Sequence, residues 1–85
     1  MQVLYFSAPW CAPCKMFRPI VESVSSELRV HVNYINVDYD ASLSERYSVT
    51  SVPTIIILGM SGDVVYRNSG VMSKEQLSRV LTQFK

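Results

Sequence analysis

The sequence predicts an α/β domain: a mixed four-stranded sheet with helices on both faces, ordered β-α-β-α-β-β-α. Three observations carry this. Short apolar runs rich in β-formers alternate along the chain with stretches whose apolar residues recur at helical spacing. Two runs, Pro53–Leu58 and Val64–Arg67, are separated only by Gly59-Met60-Ser61-Gly62-Asp63, a turn that makes them antiparallel neighbours. The first two runs are separated by a long amphipathic stretch instead, so a helix crosses over between parallel strands.

Val3-Leu4-Tyr5-Phe6 reads as a buried strand, bounded by Ser7-Ala8-Pro9. From Cys11 to Leu28 the period changes, and Phe17, Ile20, Val21, Val24 and Leu28 line one helical face. Pro13 falls in the first turn, where its missing N–H costs little. Pro19 falls inside, removes a hydrogen bond and should kink the helix. Val32 to Val37 alternates as a second strand, reached by a crossover expected to be right-handed. Asp40 to Tyr47 is a short helix with Leu43 and Tyr47 inward and Asp40 or Ser42 available for capping. Pro53 opens the third strand, where proline is tolerated, and Val64–Arg67 is the fourth. Ser73, with Gln76 three residues on, forms a capping box before a helix whose apolar face is Leu77, Val80, Leu81 and Phe84.

With 85 residues, the chain is expected to form one domain spanning residues 1–85. A 48% apolar share against 18% charged predicts an ordered globule rather than disorder. The net charge of +1 is scattered along the chain, so no electrostatic surface for nucleic acid or anionic lipid is expected. No membrane partner is expected either, and the domain should act as a monomer. Met1-Gln2 carries no basic residue and no secretory leader is read, while Ile55-Ile56-Ile57-Leu58 is too short to span a bilayer. The expected location is cytoplasmic, where a lone cysteine pair is more often catalytic than structural.

Cys11 and Cys14, the only cysteines, sit three residues apart at the start of the first helix. Positions i and i+3 share a helical face, so the sulfurs can meet. Cys11 then lies where unpaired N–H groups and the helix dipole stabilise a thiolate. A purely structural disulfide closing so short a loop restricts the unfolded chain by only about 2 kcal/mol. A zinc site lacks ligands: His31 follows Cys14 by 17 residues, roughly 25 Å along a straight helix. The favoured reading is redox chemistry, the exchange of disulfides through a thiolate beside a partner thiol, which needs no metal and no cofactor.

On these residues the chain resembles the thioredoxins. Trp10-Cys11-Ala12-Pro13-Cys14-Lys15 is close to their Trp-Cys-Gly-Pro-Cys-Lys signature. Pro19 matches the kinking proline of their active-site helix, while Val37-Asp38 and Val52-Pro53-Thr54 fall at thioredoxin spacing without a gap. Gly62 and Gly70 match a hairpin glycine and the glycine before the last helix. The family's usual first strand and helix are absent, as in minimal thioredoxins and glutaredoxins.

The resemblance implies a protein disulfide reductase. Cys11, with Lys15 nearby, is the expected nucleophile and Cys14 the resolving thiol, with Pro13 stiffening the turn between them. It also implies a cis Val52–Pro53 bond and a substrate surface made by Trp10, Val52, Pro53 and Gly70, Val52 pairing with an extended chain. Expected partners are disulfide-bearing proteins, with ribonucleotide reductase a family-level guess, and thioredoxin reductase or glutathione as electron donor.

The departures are specific. Where thioredoxins usually bury an aspartate, six residues before the first cysteine, this chain has Tyr5. The usual lysine partner, four residues before Asp38, is Tyr34, so both charges are missing together. A large aromatic usual four residues before Cys11 is Ser7. A phenol at Tyr5 is not expected to be the resting base at neutral pH, though it can order a water beside Cys14. Without the carboxylate, both thiol pKa values should fall and the couple should be more oxidising.

Two further readings stay open. A glutathione-dependent oxidoreductase needs a cationic pocket, for which Arg67 and Lys74 are the candidates. A binding module would use the same surface with redox activity incidental. Met60 and Met72 are candidates for an apolar docking surface. Tyr34, Tyr39, Tyr47 and His31 read as packing or solvated residues.

Overall fold

The computed structural model describes residues 1–85, with the elements in the predicted order. They are β1 (Gln2–Ser7), α1 (Ala12–Leu28), β2 (Val32–Asn36), α2 (Ala41–Arg46), β3 (Thr54–Leu58), β4 (Val64–Ser69) and α3 (Lys74–Phe84). The sheet order is β2-β1-β3-β4, with β1 and β2 parallel and the other two pairings antiparallel.

The central strands explain their own sequences. Successive side chains of β1 point to opposite faces, and both faces are covered, so Val3, Leu4, Tyr5 and Phe6 are all buried. Val3, Tyr5, Val32, Ile55 and Ile57 pack against Phe17, Val21 and Val24 of α1 and Leu77 and Leu81 of α3. Leu4, Phe6, Ile35, Ile56 and Leu58 form the opposite core, covered by Leu43 and Tyr47 of α2 and its flank with Val49. The outer strand β4 is largely exposed, and its run extends to Ser69, two residues beyond the predicted Arg67. Those residues pair with Thr54 and Ile55 although their side chains are polar, because strand pairing uses the backbone.

The capping box at α3 forms as read, with the Gln76 N–H donating to Ser73 Oγ at 3.1 Å and the reciprocal bond at 3.0 Å. Asp40 stands at the N-cap of α2, but its carboxylate makes no capping bond. Its backbone lies at φ −117°, ψ 56°, off the extended conformation that aims a side chain at the first free amides. Met72 is also corrected: it is 7% exposed and belongs to the α1–α3 core, whereas Met60 is fully solvated. No helix is long and apolar enough to cross a membrane.

Candidate active site

β1 ends at Ser7, and Ala8-Pro9-Trp10 turns the chain into α1, the Cys11 N–H donating to the Ala8 carbonyl at 3.1 Å. Cys11 is the N-cap of α1, and Pro13 occupies its first turn. The two cysteines are joined as a disulfide with Cα atoms 5.3 Å apart, and both are almost completely buried. The Cys14 N–H donates to Cys11 Sγ at 3.2 Å, so the cap that serine or aspartate usually provides is here a sulfur. On reduction that amide and the helix terminus favour negative charge on Cys11 over charge on Cys14.

Across from Cys11, its Sγ lies 3.6 Å from the Val52 carbonyl, and the Val52–Pro53 bond is cis, as the resemblance implied. The Pro53 carbonyl accepts from the Gly70 N–H at 2.8 Å. Gly70 lies at φ 102°, a conformation that favours glycine. Val52 thus stands directly against Cys11, Pro53 is buried behind it, and Gly70 joins the site through the Pro53 carbonyl. Trp10 is 69% exposed, yet its ring is held: Nε1 donates to the Asp38 carboxylate at 3.1 and 3.3 Å. Trp10 and Val52, with Val37, Val49, Thr50 and Ser51, line a small groove of about 160 Å³ beside the disulfide.

The other side of the pair opens on a cavity of about 240 Å³ lined by Tyr5, Cys14, Lys15, Arg18, Tyr34 and Asn36, among others. Tyr5 is wholly buried and its hydroxyl donates to the Cys14 carbonyl at 2.9 Å. Burial pushes its pKa up from 10.0 to about 12, against the Arg18 guanidinium, which pulls it down. Burial also raises Tyr34, the edge-on neighbour of Tyr5, and the Arg18 guanidinium lies 4.4 Å over the Tyr34 ring. Two aromatic rings and a cation–π contact thus fill the two positions at which the sequence lacks the family's usual aspartate and lysine. Lys15 is exposed at this cavity, on the Cys14 side, and its amide N–H donates to the Cys11 carbonyl at 3.3 Å. No group of three or more His, Cys, Asp or Glu is placed to hold a metal ion.

The structure gives two residues, Asp38 and Arg67, contacts that the sequence does not reveal. Asp38 was noticed only as a spacing match, although its position after the second strand brings it to Trp10. Arg67 was weighed as a glutathione ligand, but its guanidinium donates to the Ser48 and Tyr47 carbonyls. No local motif announces that contact, since the partners lie 19 and 20 residues away.

A cysteine pair capping a helix beside a cis-proline loop, on a mixed four-stranded sheet, defines a domain for thiol–disulfide exchange. The thioredoxin family model matches residues 1–83. Thioredoxin of Chlamydia trachomatis is 40% identical over 80 residues, covering 92% of this chain and 76% of that protein. Thioredoxin of Bacillus subtilis is 35% identical over the same length, with the same coverage. Among solved structures, thioredoxin of Fasciola hepatica superposes with a TM-score of 0.89 at 33% identity, covering 99% of this chain and 80% of that one. A thioredoxin variant of Halobacterium salinarum gives 0.90 at 29% identity, over 98% and 73%. The chain belongs to the thioredoxin family. It is a thiol–disulfide oxidoreductase that reduces protein disulfides, acting with disulfide-bearing substrates and, in general, a reductase that resets it.

Proposed function

We propose that residues 1–85 work as one monomeric cytoplasmic domain that reduces protein disulfides in electron transport and redox homeostasis, with Cys11 as nucleophile and Cys14 as resolving thiol. The observation that carries the assignment is the 3.2 Å bond from the Cys14 N–H to Cys11 Sγ at the helix N-cap. It stabilises negative charge on one sulfur of the pair and not the other.

The reduced Cys11 thiolate attacks a sulfur of the substrate disulfide, forming a Cys11–substrate bond and expelling the second substrate thiolate, which takes a proton from water. Cys14 then loses its proton, attacks Cys11 and releases the remaining substrate sulfur as a thiol. Two electrons have passed to the substrate, and the Cys11–Cys14 disulfide is left for a thioredoxin reductase to reset. Pro13 limits the motion of the turn between the sulfurs. An extended substrate segment pairs with the backbone at Val52 and rests against Trp10, Pro53 and Gly70. Lys15, exposed on the Cys14 side, adds positive charge near the pair as a whole, and Tyr5 holds the first turn of α1 through the Cys14 carbonyl. Nucleic acid and membranes are not partners in this reading, and ribonucleotide reductase is one candidate target.

Glutathione is the less favoured donor. Arg67 is committed to main-chain carbonyls, and Lys74 pairs with Glu27 at 2.9 Å. The deciding experiment incubates Cys14→Ser with a disulfide-bearing protein under non-reducing conditions. Accumulation of a mixed disulfide through Cys11 supports the roles. Continued turnover by Cys14→Ser, or trapping through a different residue, sinks them.

A further inference from the structure

The segment that carries Val52 and Pro53 runs from the end of α2 to the start of β3. Main-chain bonds tie its start to α2, Val49 and Val52 pack on the core, and residues 67–70 hold it from the side of β4. At its far end, the Gly70 N–H donates to the Pro53 carbonyl at 2.8 Å. Ser69 Oγ lies 3.2 Å from Thr54 Oγ1, which itself donates to the Ser51 carbonyl at 2.8 Å. At the near end stands Arg67. It is opposite Ile56 in the β3–β4 register, so its side chain leaves the sheet on the face that α2 covers. Nη1 donates to the Ser48 carbonyl at 3.3 Å and Nη2 to the Tyr47 carbonyl.

Tyr47 is the C-cap of α2, and Ser48 is left-handed at φ 55°. The last carbonyls of a helix lack intrahelical donors and sit at the negative end of its dipole, so a forked cation is the matching group. Neither of the two salt bridges involves Arg67, which leaves the guanidinium to the carbonyls alone. The Ser48 and Val49 N–H groups also donate back to α2, to the Glu45 carbonyl at 3.1 Å and the Ser44 carbonyl at 2.8 Å, while from Thr50 to Ser51 no main-chain bond to α2 is made.

We propose that Arg67 is a positioning residue for substrate recognition. By holding the Tyr47 and Ser48 carbonyls, it fixes the Thr50–Pro53 segment against Cys11 and so sets the affinity for protein disulfides, taking no part in the exchange itself. The proposal rests on the reading of Val52–Pro53 as the segment that pairs with substrate. A small disulfide that reaches only Cys11 makes no use of that segment and is indifferent to Arg67.

The test measures KM and kcat of the full chain with insulin and with hydroxyethyl disulfide, for native protein and for Arg67→Ala, Arg67→Gln and Arg67→Lys. Arg67→Ala and Arg67→Gln should raise KM for insulin about three- to tenfold, the scale of one ordinary net hydrogen bond, since Arg67 acts on substrate only through the segment it holds. The kcat for insulin, the rate with hydroxyethyl disulfide and the Cys11–Cys14 reduction potential should stay unchanged. Arg67→Lys, which keeps one donor and the charge, should recover part of the affinity, and it also serves if Arg67→Ala fails to fold. An unchanged KM for insulin overturns the proposal, as does an equal loss with both substrates, which marks general destabilisation. Trapping by Cys14→Ser combined with unchanged KM in Arg67→Ala defeats this proposal alone. Absence of trapping defeats the exchange assignment and this proposal with it.

Discussion

The hydroxyl of Tyr5 gives its single proton to the main-chain carbonyl of Cys14, 2.9 Å away. This ties the middle of β1 to the first turn of α1, one residue before the helix loses a bond of its own. Pro19 has no N–H, so the Lys15 carbonyl has no intrahelical donor four residues on. With its proton committed and its pKa pushed up to about 12, Tyr5 stays neutral and does not receive the proton of the Cys14 thiol. The cavity beside Cys14 carries Lys15 and Arg18 as its only charged side chains. A proton leaving Cys14 therefore passes to solvent.

Tyr5→Phe should accordingly leave the resolving step within about twofold of native while costing about 1 kcal/mol of stability for the lost buried bond. Tyr5→Asp should act on the thiols instead, raising both pKa values and making the couple more reducing, by about 30 mV for each tenfold change in the exchange constant. Thiol titration and equilibration with glutathione buffers read both effects. Equal thiol pKa values in native protein and Tyr5→Asp would contradict the electrostatic account.

The same buried phenol sets an alkaline limit. Desolvation raises its pKa from 10.0 in the unfolded chain to about 12, so between those values the folded state binds more protons than the unfolded one. Stability should therefore be unaffected below pH 10 and fall as pH rises toward 12, and the raised Tyr34 acts in the same direction. Urea unfolding across this range should show the decline, and Tyr5→Phe should flatten most of it. A slope identical in the two proteins would locate the effect elsewhere.

Gly70 has open space where a Cβ would stand, so substitution there meets no neighbour, only an unfavourable backbone at φ 102°. Gly70→Ala is expected to cost about 1–2 kcal/mol or to shift the backbone away from Pro53. In the second case KM for a protein disulfide rises while the melting temperature barely moves. Measuring both quantities on one preparation distinguishes strain retained from strain relieved.

Asp38 holds an exposed indole, so its removal should loosen Trp10 without disturbing either core. Asp38→Ala should lower Trp10 fluorescence anisotropy and reduce kcat/KM for protein disulfides about two- to fivefold, the scale of one charge-assisted bond at the surface. Asp38→Asn, which keeps an acceptor, should lie between. Unchanged anisotropy in Asp38→Ala would mean that packing, not the carboxylate, orients the ring.

The helical face from Phe17 to Leu28, the capping box at Ser73 and the cysteine pair at a helix start were legible because each is written in residues within one or two turns. The strand between the two cores was legible in the unbroken apolar run Val3–Phe6. Asp40 misled because its residue type suits a cap, whereas the dihedral angles that decide capping come from how the chain leaves Asn36. Met72 misled because a loop position in sequence is a core position once α3 packs on the sheet. Arg67 was visible as a cation only; its partners are brought to it by the strand order, which places β4 where it can reach the end of α2.

Ala8, Cys11 and Cys14 make a small apolar cluster of their own, joined to the α2-side core by Val37 and Val52, which pack against both. The sulfurs consequently switch between bonded and separate at a rim that the deep packing reaches through only a few residues, Tyr5 on one side and Val37 and Val52 on the other. Substitutions in the α3 part of the core, at Leu77 or Leu81, should combine additively with substitutions at this rim, since they belong to a separate cluster, whereas those at Tyr5, Val37 or Val52 should not. Endurance and voltage are then separate dials in most of the interior, and they are geared together at Tyr5, which belongs to the core and also touches Cys14.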